Sequence, residues 1–241
     1  MEKIDITIPT TLRPGLLEKT LDSFCKNVFT DRNRYRLIFN VDPIGEDCDP
    51  MDVVKVAGFY FDDILYNIAE KPSFPKAFMW CWNHAESDYL FHINEDWELL
   101  RPINIDDMID ILEKTNNLAC LRLLRVDIPN NFNGFSSEYK YIDMGKYLRA
   151  ERRDASFSTS PELIKAAFYK EARKYLLNNK NPEKQFRPGN KVYKVVKEWD
   201  YAFYAKPGDK MLIKDIGRDW MAKNKFRKKG GHGFTEWEKI K

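Results

Sequence analysis

The first apolar residues of the chain alternate with polar ones. Ile4, Ile6 and Ile8 are separated by Asp5 and Thr7, the period of two that a half-buried strand imposes. Pro9-Thr10-Thr11 and Arg13-Pro14-Gly15 interrupt the run, and Leu16, Leu17, Leu21, Phe24 and Cys25 then recur at helical spacing. Tyr35 to Val41 predicts a second strand, stopped at a loop by Asp42-Pro43-Ile44-Gly45. Strand, helix, strand is the unit from which parallel sheets are built. The pattern continues with a strand at Asp63 to Tyr66, a helix from about Pro75 to Glu86 and a strand at Asp88 to Ile93. A helix over Ile105 to Lys114 capped by Asn104 and a buried strand at Leu118 to Leu124 follow. Further on, Tyr139 to Leu148 and Val192 to Val196 predict short strands, and Ser160 with Pro161 opens a helix to about Leu177. The fold class is α/β: a mostly parallel sheet flanked by helices, elaborated by an α+β second half covering one side of it. Function is expected where the strands end in loops.

Composition fits that picture. The 241 residues, 43% hydrophobic and 14% aromatic, suffice for one globular domain without disulfides or metal. Forty Lys+Arg against 37 Asp+Glu give +3, which excludes a disordered polyelectrolyte. The start, Met-Glu-Lys-Ile-Asp, has no cationic segment followed by an apolar one, and no run approaches the roughly 18 apolar residues of a spanning helix; a soluble, cytoplasmic protein without membrane contact is expected. Cys25, Cys48, Cys81 and Cys120 form no Cys-x-x-Cys pair and are expected as reduced thiols. Charge is unevenly spread: residues 214–241 hold nine Lys+Arg and four Asp+Glu, leaving 31 against 33 for the rest. Lys223, Lys225, Arg227, Lys228 and Lys229, with Phe226 among them, form either a solvated tail or a surface for phosphates.

The stretch Asp88-Tyr-Leu-Phe-His-Ile-Asn-Glu-Asp-Trp97 carries the most chemistry. It places Asn94, Glu95 and Asp96 at the mouth of a sheet, and a strand's period of two would point Asn94 and Asp96 one way and Glu95 the other. Oxygen ligands there suit a hard cation such as Mg²⁺ or Mn²⁺; an acidic turn capping the next helix is the other reading. Dinucleotide, P-loop, serine-hydrolase and zincin motifs are all missing.

Ile4-Asp-Ile-Thr-Ile-Pro-Thr-Thr-Leu-Arg13 resembles the opening strand and loop of GT-A-fold glycosyltransferases of the family 2 type, and Asn94-Glu95-Asp96 falls where that family has its metal-binding Asp-x-Asp. The resemblance covers residues 3 to 100 well and the rest loosely, and extends to the short glycosyltransferases of large bacterial viruses. It implies a single GT-A-like domain: a nucleotide-sugar-binding half at 1–125, an acceptor-side half at 126–213 and a basic segment or lid at 214–241. It further implies that Pro9, Thr10, Thr11 and Arg13 line the nucleotide pocket, that Asp42 faces base or ribose, and that Asp96 binds the Mn²⁺ or Mg²⁺ bridging the donor diphosphate. Asn94 replaces the family's first Asp, and Lys76 is placed to reach a phosphate. The implied general base of an inverting transfer is Glu183, with Glu198 and Asp200 as substitutes. Asp215 stands where many members carry a metal-binding His; His232 is the alternative. Arg218, Lys223 or Lys225 would neutralise phosphates from a lid. The expected partners are a nucleotide-sugar donor and an acceptor, either a glycan or a hydroxylated base in phage DNA. A sugar-phosphate nucleotidyltransferase lacks its Gly-rich loop here, and a non-catalytic nucleic-acid-binding module leaves Asn94-Glu95-Asp96 unexplained.

Overall fold

The computed structural model describes residues 3–128, 141–150, 158–230 and 235–239. In chain order these form β1 (Ile4–Leu12), α1 (Pro14–Asn27), β2 (Tyr35–Gly45), α2 (Pro50–Tyr60), β3 (Ile64–Ile68), α3 (Phe74–His84), β4 (Tyr89–His92), β5 (Trp97–Leu99), α4 (Ile105–Lys114) and β6 (Leu118–Arg122). There follow β7 (Tyr141–Asp143), β8 (Leu148–Ala150), β9 (Glu162–Lys165), α5 (Ala166–Ala172), α6 (Pro182–Gln185), α7 (Tyr193–Val196), β10 (Asp200–Phe203), β11 (Ile213–Asp215), α8 (Gly217–Lys223), β12 (Phe226–Gly230) and β13 (Thr235–Lys239).

Among the described residues nine strands form one sheet in the order β3-β2-β1-β4-β9-β6-β10-β8-β7. The strands β3, β2, β1 and β4 are mutually parallel, β6 and β10 likewise, and β9 runs against both β4 and β6. Alternating side chains cover the two faces. Ile4, Ile6 and Ile8 join Leu17, Leu21 and Phe24 of α1, Val53 of α2 and Met108 of α4 on one side. Ile38 and Leu90 join Phe78 and Trp82 of α3 and Phe168 of α5 on the other. Helix α4 follows its sequence signals: Asn104 accepts from the amides of Asp106 and Asp107 at 3.0 and 3.2 Å, a cap worth about 1 kcal/mol, and Ile105, Met108, Ile109 and Leu112 are buried.

Four local expectations are corrected. First, β1 runs through Pro9 to Leu12. The Thr7 carbonyl accepts from Ile93 N on the β4 side, so Pro9, two residues on, faces that side where β4 has already ended. No ladder bond is lost by its missing N–H. Second, Glu162 to Lys165 is a strand rather than a helix opened by Ser160 and Pro161. Leu163 and Ile164 are fully buried on opposite faces, and pairing with β4 and β6 outweighs helix propensity until Ala166. Third, Val192 to Val196 holds a helical turn, because Val192, Val195 and Val196 share one face in the second apolar cluster. Fourth, the predicted Tyr139 to Leu148 strand is the hairpin β7–β8, turned at Gly145 with φ +85°; Tyr139 lies outside the described residues. Helix α2, capped by Asp49 with Pro50 following, was not anticipated.

Candidate functional site

Strands β1, β2 and β4 deliver their carboxyl ends to a cavity of about 570 Å³. Its wall gathers most of the residues singled out in the sequence: Pro9, Thr10, Thr11 and Arg13 after the middle of β1, Asp42 on β2, Asn94, Glu95 and Asp96 beyond β4, Glu183 on α6 and Asp215 at the end of β11. Lys76 is exposed on α3, and neither it nor Arg218 lines the cavity. Glu198 pairs with Lys197, and Asp200 with Arg149, both away from this wall. His232 lies outside the described residues.

The strand has ended before Asn94, and Glu95 and Asp96 sit in a turn, so the two-residue strand period does not set their directions. Arg13 directs Glu95 and Asp96 instead. Its guanidinium, 2% exposed, forms a buried ion pair with Glu95, donates from Nε to Thr11 Oγ1 at 2.9 Å, and places Nη2 3.6 Å from Asp96 Oδ2. Thr20 of α1 donates to the Glu95 carbonyl at 2.7 Å. Glu95 is thereby committed inward, and Asp96 keeps a fifth of its side chain exposed.

The C-terminal segment is brought to this turn by a separate ladder. Strand β11 pairs antiparallel with β5, Asp215 opposite Trp97, and Ile216 N donates to the Asp96 carbonyl at 2.9 Å. Asp215 accepts from Gly217 N at 3.0 Å and meets Arg218 Nε at 3.2 Å. Asp96 and Asp215 therefore share one wall. Carboxylate oxygens are the donors a hard divalent cation takes, and such an ion commonly uses one or two carboxylates and completes its shell with water and phosphate oxygens. The pair fits that pattern; among the described residues no group of three or more His, Cys, Asp or Glu forms a full protein cage.

On the β2 side, Asp42 is 5% exposed, and Ile44, Pro72 and Phe74 supply apolar surface beside it. Its Oδ2 accepts from Ser73 N at 2.9 Å and its Oδ1 from Asn40 Nδ2 at 3.0 Å. Burial pushes this carboxyl up to about 6, with Glu95 adding to the rise and the two hydrogen bonds opposing it.

Across the cavity, Glu183 accepts from Thr159 N at 3.2 Å and from Thr159 Oγ1 at 2.7 Å. The Thr159 carbonyl accepts from Asn94 Nδ2 at 3.4 Å. An aspartate at 94 would face that carbonyl with no proton to give, which is a local reason for the amide. Arg125, Thr159, Ser160 and Asn181 also line the wall and were not singled out. Arg125 had a readable signal, a cation just beyond the carboxyl end of a buried strand; its guanidinium stands 5.9 Å from the Trp97 ring centroid. Thr159 had none, since only the β9 pairing brings it here.

No protein-family model matches the chain, and no curated protein does. Solved structures do. S. aureus TarS 1–349 in complex with UDP is 13% identical over 88% of this chain and 59% of that one, with a TM-score of 0.55. The same protein in complex with UDP-GlcNAc gives 13% identity, 88% and 57% coverage and a TM-score of 0.53. The chain has the GT-A fold. It spans 36% of the longer S. aureus TarS structure, at 12% identity and a TM-score of 0.53. Among the described residues of this GT-A chain no helix is long and apolar enough to cross a membrane.

Proposed function

We propose that the protein transfers a sugar from a nucleoside-diphosphate sugar to an acceptor hydroxyl in a reaction that needs Mn²⁺ or Mg²⁺. The observation that carries this reading is the meeting of Asp96 with Asp215 on one wall of a 570 Å³ cavity that also holds Asp42 and Glu183, at the carboxyl ends of a GT-A sheet. That volume is in the usual range for a small-molecule site, about 300–1,000 Å³. The likeness to a fold that binds UDP and UDP-GlcNAc in S. aureus TarS supports a nucleotide-sugar donor.

Charge supports the cation. Five carboxylates line the cavity (Asp42, Glu95, Asp96, Glu183 and Asp215) against two guanidiniums, Arg13 and Arg125. Arg13 is already paired with Glu95. A donor diphosphate entering such a wall needs compensation, which Asp96 and Asp215 would recruit by holding a divalent ion. When bound, that ion supplies Lewis-acid stabilisation of the departing diphosphate. Asp42, with Ile44, Pro72 and Phe74, takes the base or ribose; Pro9, Thr10 and Thr11 line the nucleotide side. Glu183, oriented by Thr159, accepts the proton of the attacking hydroxyl, in an inverting displacement. Residues 1–125 then form the donor half, 126–213 the acceptor half and 214–241 the basic C-terminal segment or lid. The acidic wall disfavours a polyanion and favours a glycan hydroxyl over a base in DNA as acceptor.

Release of nucleoside diphosphate from a panel of nucleotide sugars tests the reading. One donor is expected to release its nucleoside diphosphate slowly by hydrolysis without acceptor, and faster by transfer of its sugar when a glycan acceptor is present. Glu183→Gln should cut turnover by about 10² to 10⁴ with donor affinity unchanged. No release from any donor, with Mn²⁺ and with Mg²⁺, would contradict it.

A further inference from the structure

Behind Asp42 lies a row of amides that the donor chemistry itself does not require. Asn40 is 2% exposed on β2, on the face shared by Ile38, and two residues before Asp42, so period two puts both side chains on the same side of the sheet. Asn40 stands opposite Asn67 of the edge strand β3, in register. Asn67 Nδ2 donates to Asn40 Oδ1 at 2.7 Å, and Asn40 Nδ2 donates to Asp42 Oδ1 at 3.0 Å. Ser73 N completes the carboxylate at 2.9 Å. A buried amide among apolar neighbours is costly unless both its ends are bonded, and here both ends are.

The direction of this chain has a consequence. An Asn side chain carries a donor on one arm and an acceptor on the other. While Asn67 presents its NH₂, Asn40 must turn its oxygen towards β3 and its own NH₂ towards Asp42. Asn67 does not line the cavity, yet its hydrogen-bonding sense is handed on to a residue that does.

We propose that Asn67 and Asn40 are positioning residues that hold Asp42 as an oriented carboxylate, so that it accepts an N–H or O–H of the donor's nucleoside. The inference rests on the donor site proposed above and deepens it. Each Asp42 oxygen accepts one protein hydrogen bond, leaving further lone pairs for the ligand, and a group held this way rejects a ligand that offers only an acceptor. The charged neighbour acting on Asp42 is Glu95, which opposes ionisation; the neighbouring titratable group from α3 is the buried Cys81 thiol, itself pushed up by burial. The Ser73 amide and then the Asn40 amide oppose burial and Glu95 in part, and Asp42 still stands above its ordinary value.

The test is a series of calorimetric titrations of the full chain with uridine, guanosine, adenosine and cytidine diphosphates plus Mn²⁺, over about pH 5 to 8. The wild type identifies the diphosphate that binds, and variants are compared with it at each pH so that ligand and metal titrations cancel. Asn67→Asp reverses the relay: an acceptor at 67 draws the Asn40 NH₂ to itself and turns Oδ1 against Asp42. The acid limb of binding should move up by about one pH unit, so that affinity falls about twofold at pH 7 and about tenfold near pH 5. Asn67→Ala, which frees the amide without inverting it, should shift the limb less and in the same direction. In an Asp42→Asn background, Asn67→Asp should produce no pH shift. Wild-type affinity and pH midpoint in Asn67→Asp, with an unchanged melting temperature, would overturn the relay while leaving the donor site standing. Failure of the wild type to bind any of the diphosphates would overturn both.

Discussion

Gly217, the first residue of α8, packs its backbone against the Asp96 carboxylate so closely that a side-chain methyl there would stand 2.7 Å from Asp96 Cβ and collide with Oδ2. The glycine is needed for space. The prediction is that Gly217→Ala displaces Asp96 and weakens Mn²⁺-dependent nucleotide binding by about 10- to 100-fold, although residue 217 holds no ligand, as outer-shell changes at metal sites commonly do. Titration with Mn²⁺ and nucleotide, alongside a melting curve to confirm folding, checks it. Unchanged affinity would mean that the carboxylate position does not matter to binding.

Arg125 is the second prediction. It lines the cavity with no carboxylate partner among the described residues, its guanidinium beside Trp97. Arg125→Ala should raise the dissociation constant of the nucleoside diphosphate by about tenfold or more, the scale of one hydrogen bond to a charged group, while leaving the nucleoside's affinity unchanged. Equal losses for diphosphate and nucleoside would instead mean a packing role against Trp97.

Thr159 joins two of the site's features, accepting from Asn94 and donating twice to Glu183. Thr159→Val keeps the shape and removes the hydroxyl. Turnover should drop about tenfold from the loss of one hydrogen bond to a charged group, with the donor KM unchanged. A rise in donor KM at constant kcat would assign Thr159 to donor binding.

His92 governs an acid sensitivity of the fold. It is fully buried beside Phe78 and Trp82, with Nδ1 3.0 Å from Thr7 Oγ1, and burial pushes its pKa down to about 3 from 6.5. The unfolded chain takes up the proton that the folded chain refuses. Its stability contribution is therefore fully present above about pH 6.5 and is lost as pH falls towards 3, by about 1 kcal/mol per pH unit. Melting temperatures of wild type and His92→Gln, taken between about pH 7 and pH 5, should show a steeper fall for the wild type; parallel curves would contradict it.

The first half of the fold was legible where its signals are local. Asn104 caps α4 as its sequence predicts, and the strand from Ile4 and the helix carrying Leu16 to Phe24 read directly from apolar spacing, although the strand continues through Pro9 to Leu12 where a loop was expected. The losses come where distant pairing decides. Glu162 to Lys165 has the residues of a helix and becomes a strand because β4 and β6 leave a slot between them. Asp215 could be proposed from its position, but the short β5–β11 ladder that carries it to Asp96 is three residues long on each side and has no periodicity to read. The Arg13–Glu95 pair was equally hidden: both residues stood out singly, and only the fold turns one onto the other.

The most direct measurement is calorimetric titration of wild type and Asp96→Ala with nucleoside diphosphates, in Mn²⁺ and in chelator. One diphosphate should bind the wild type in Mn²⁺, bind far more weakly in chelator, and lose its metal-dependent component in Asp96→Ala. Binding that is indifferent to metal and to Asp96, or no binding at all, would contradict a donor site built on Asp96 and Asp215.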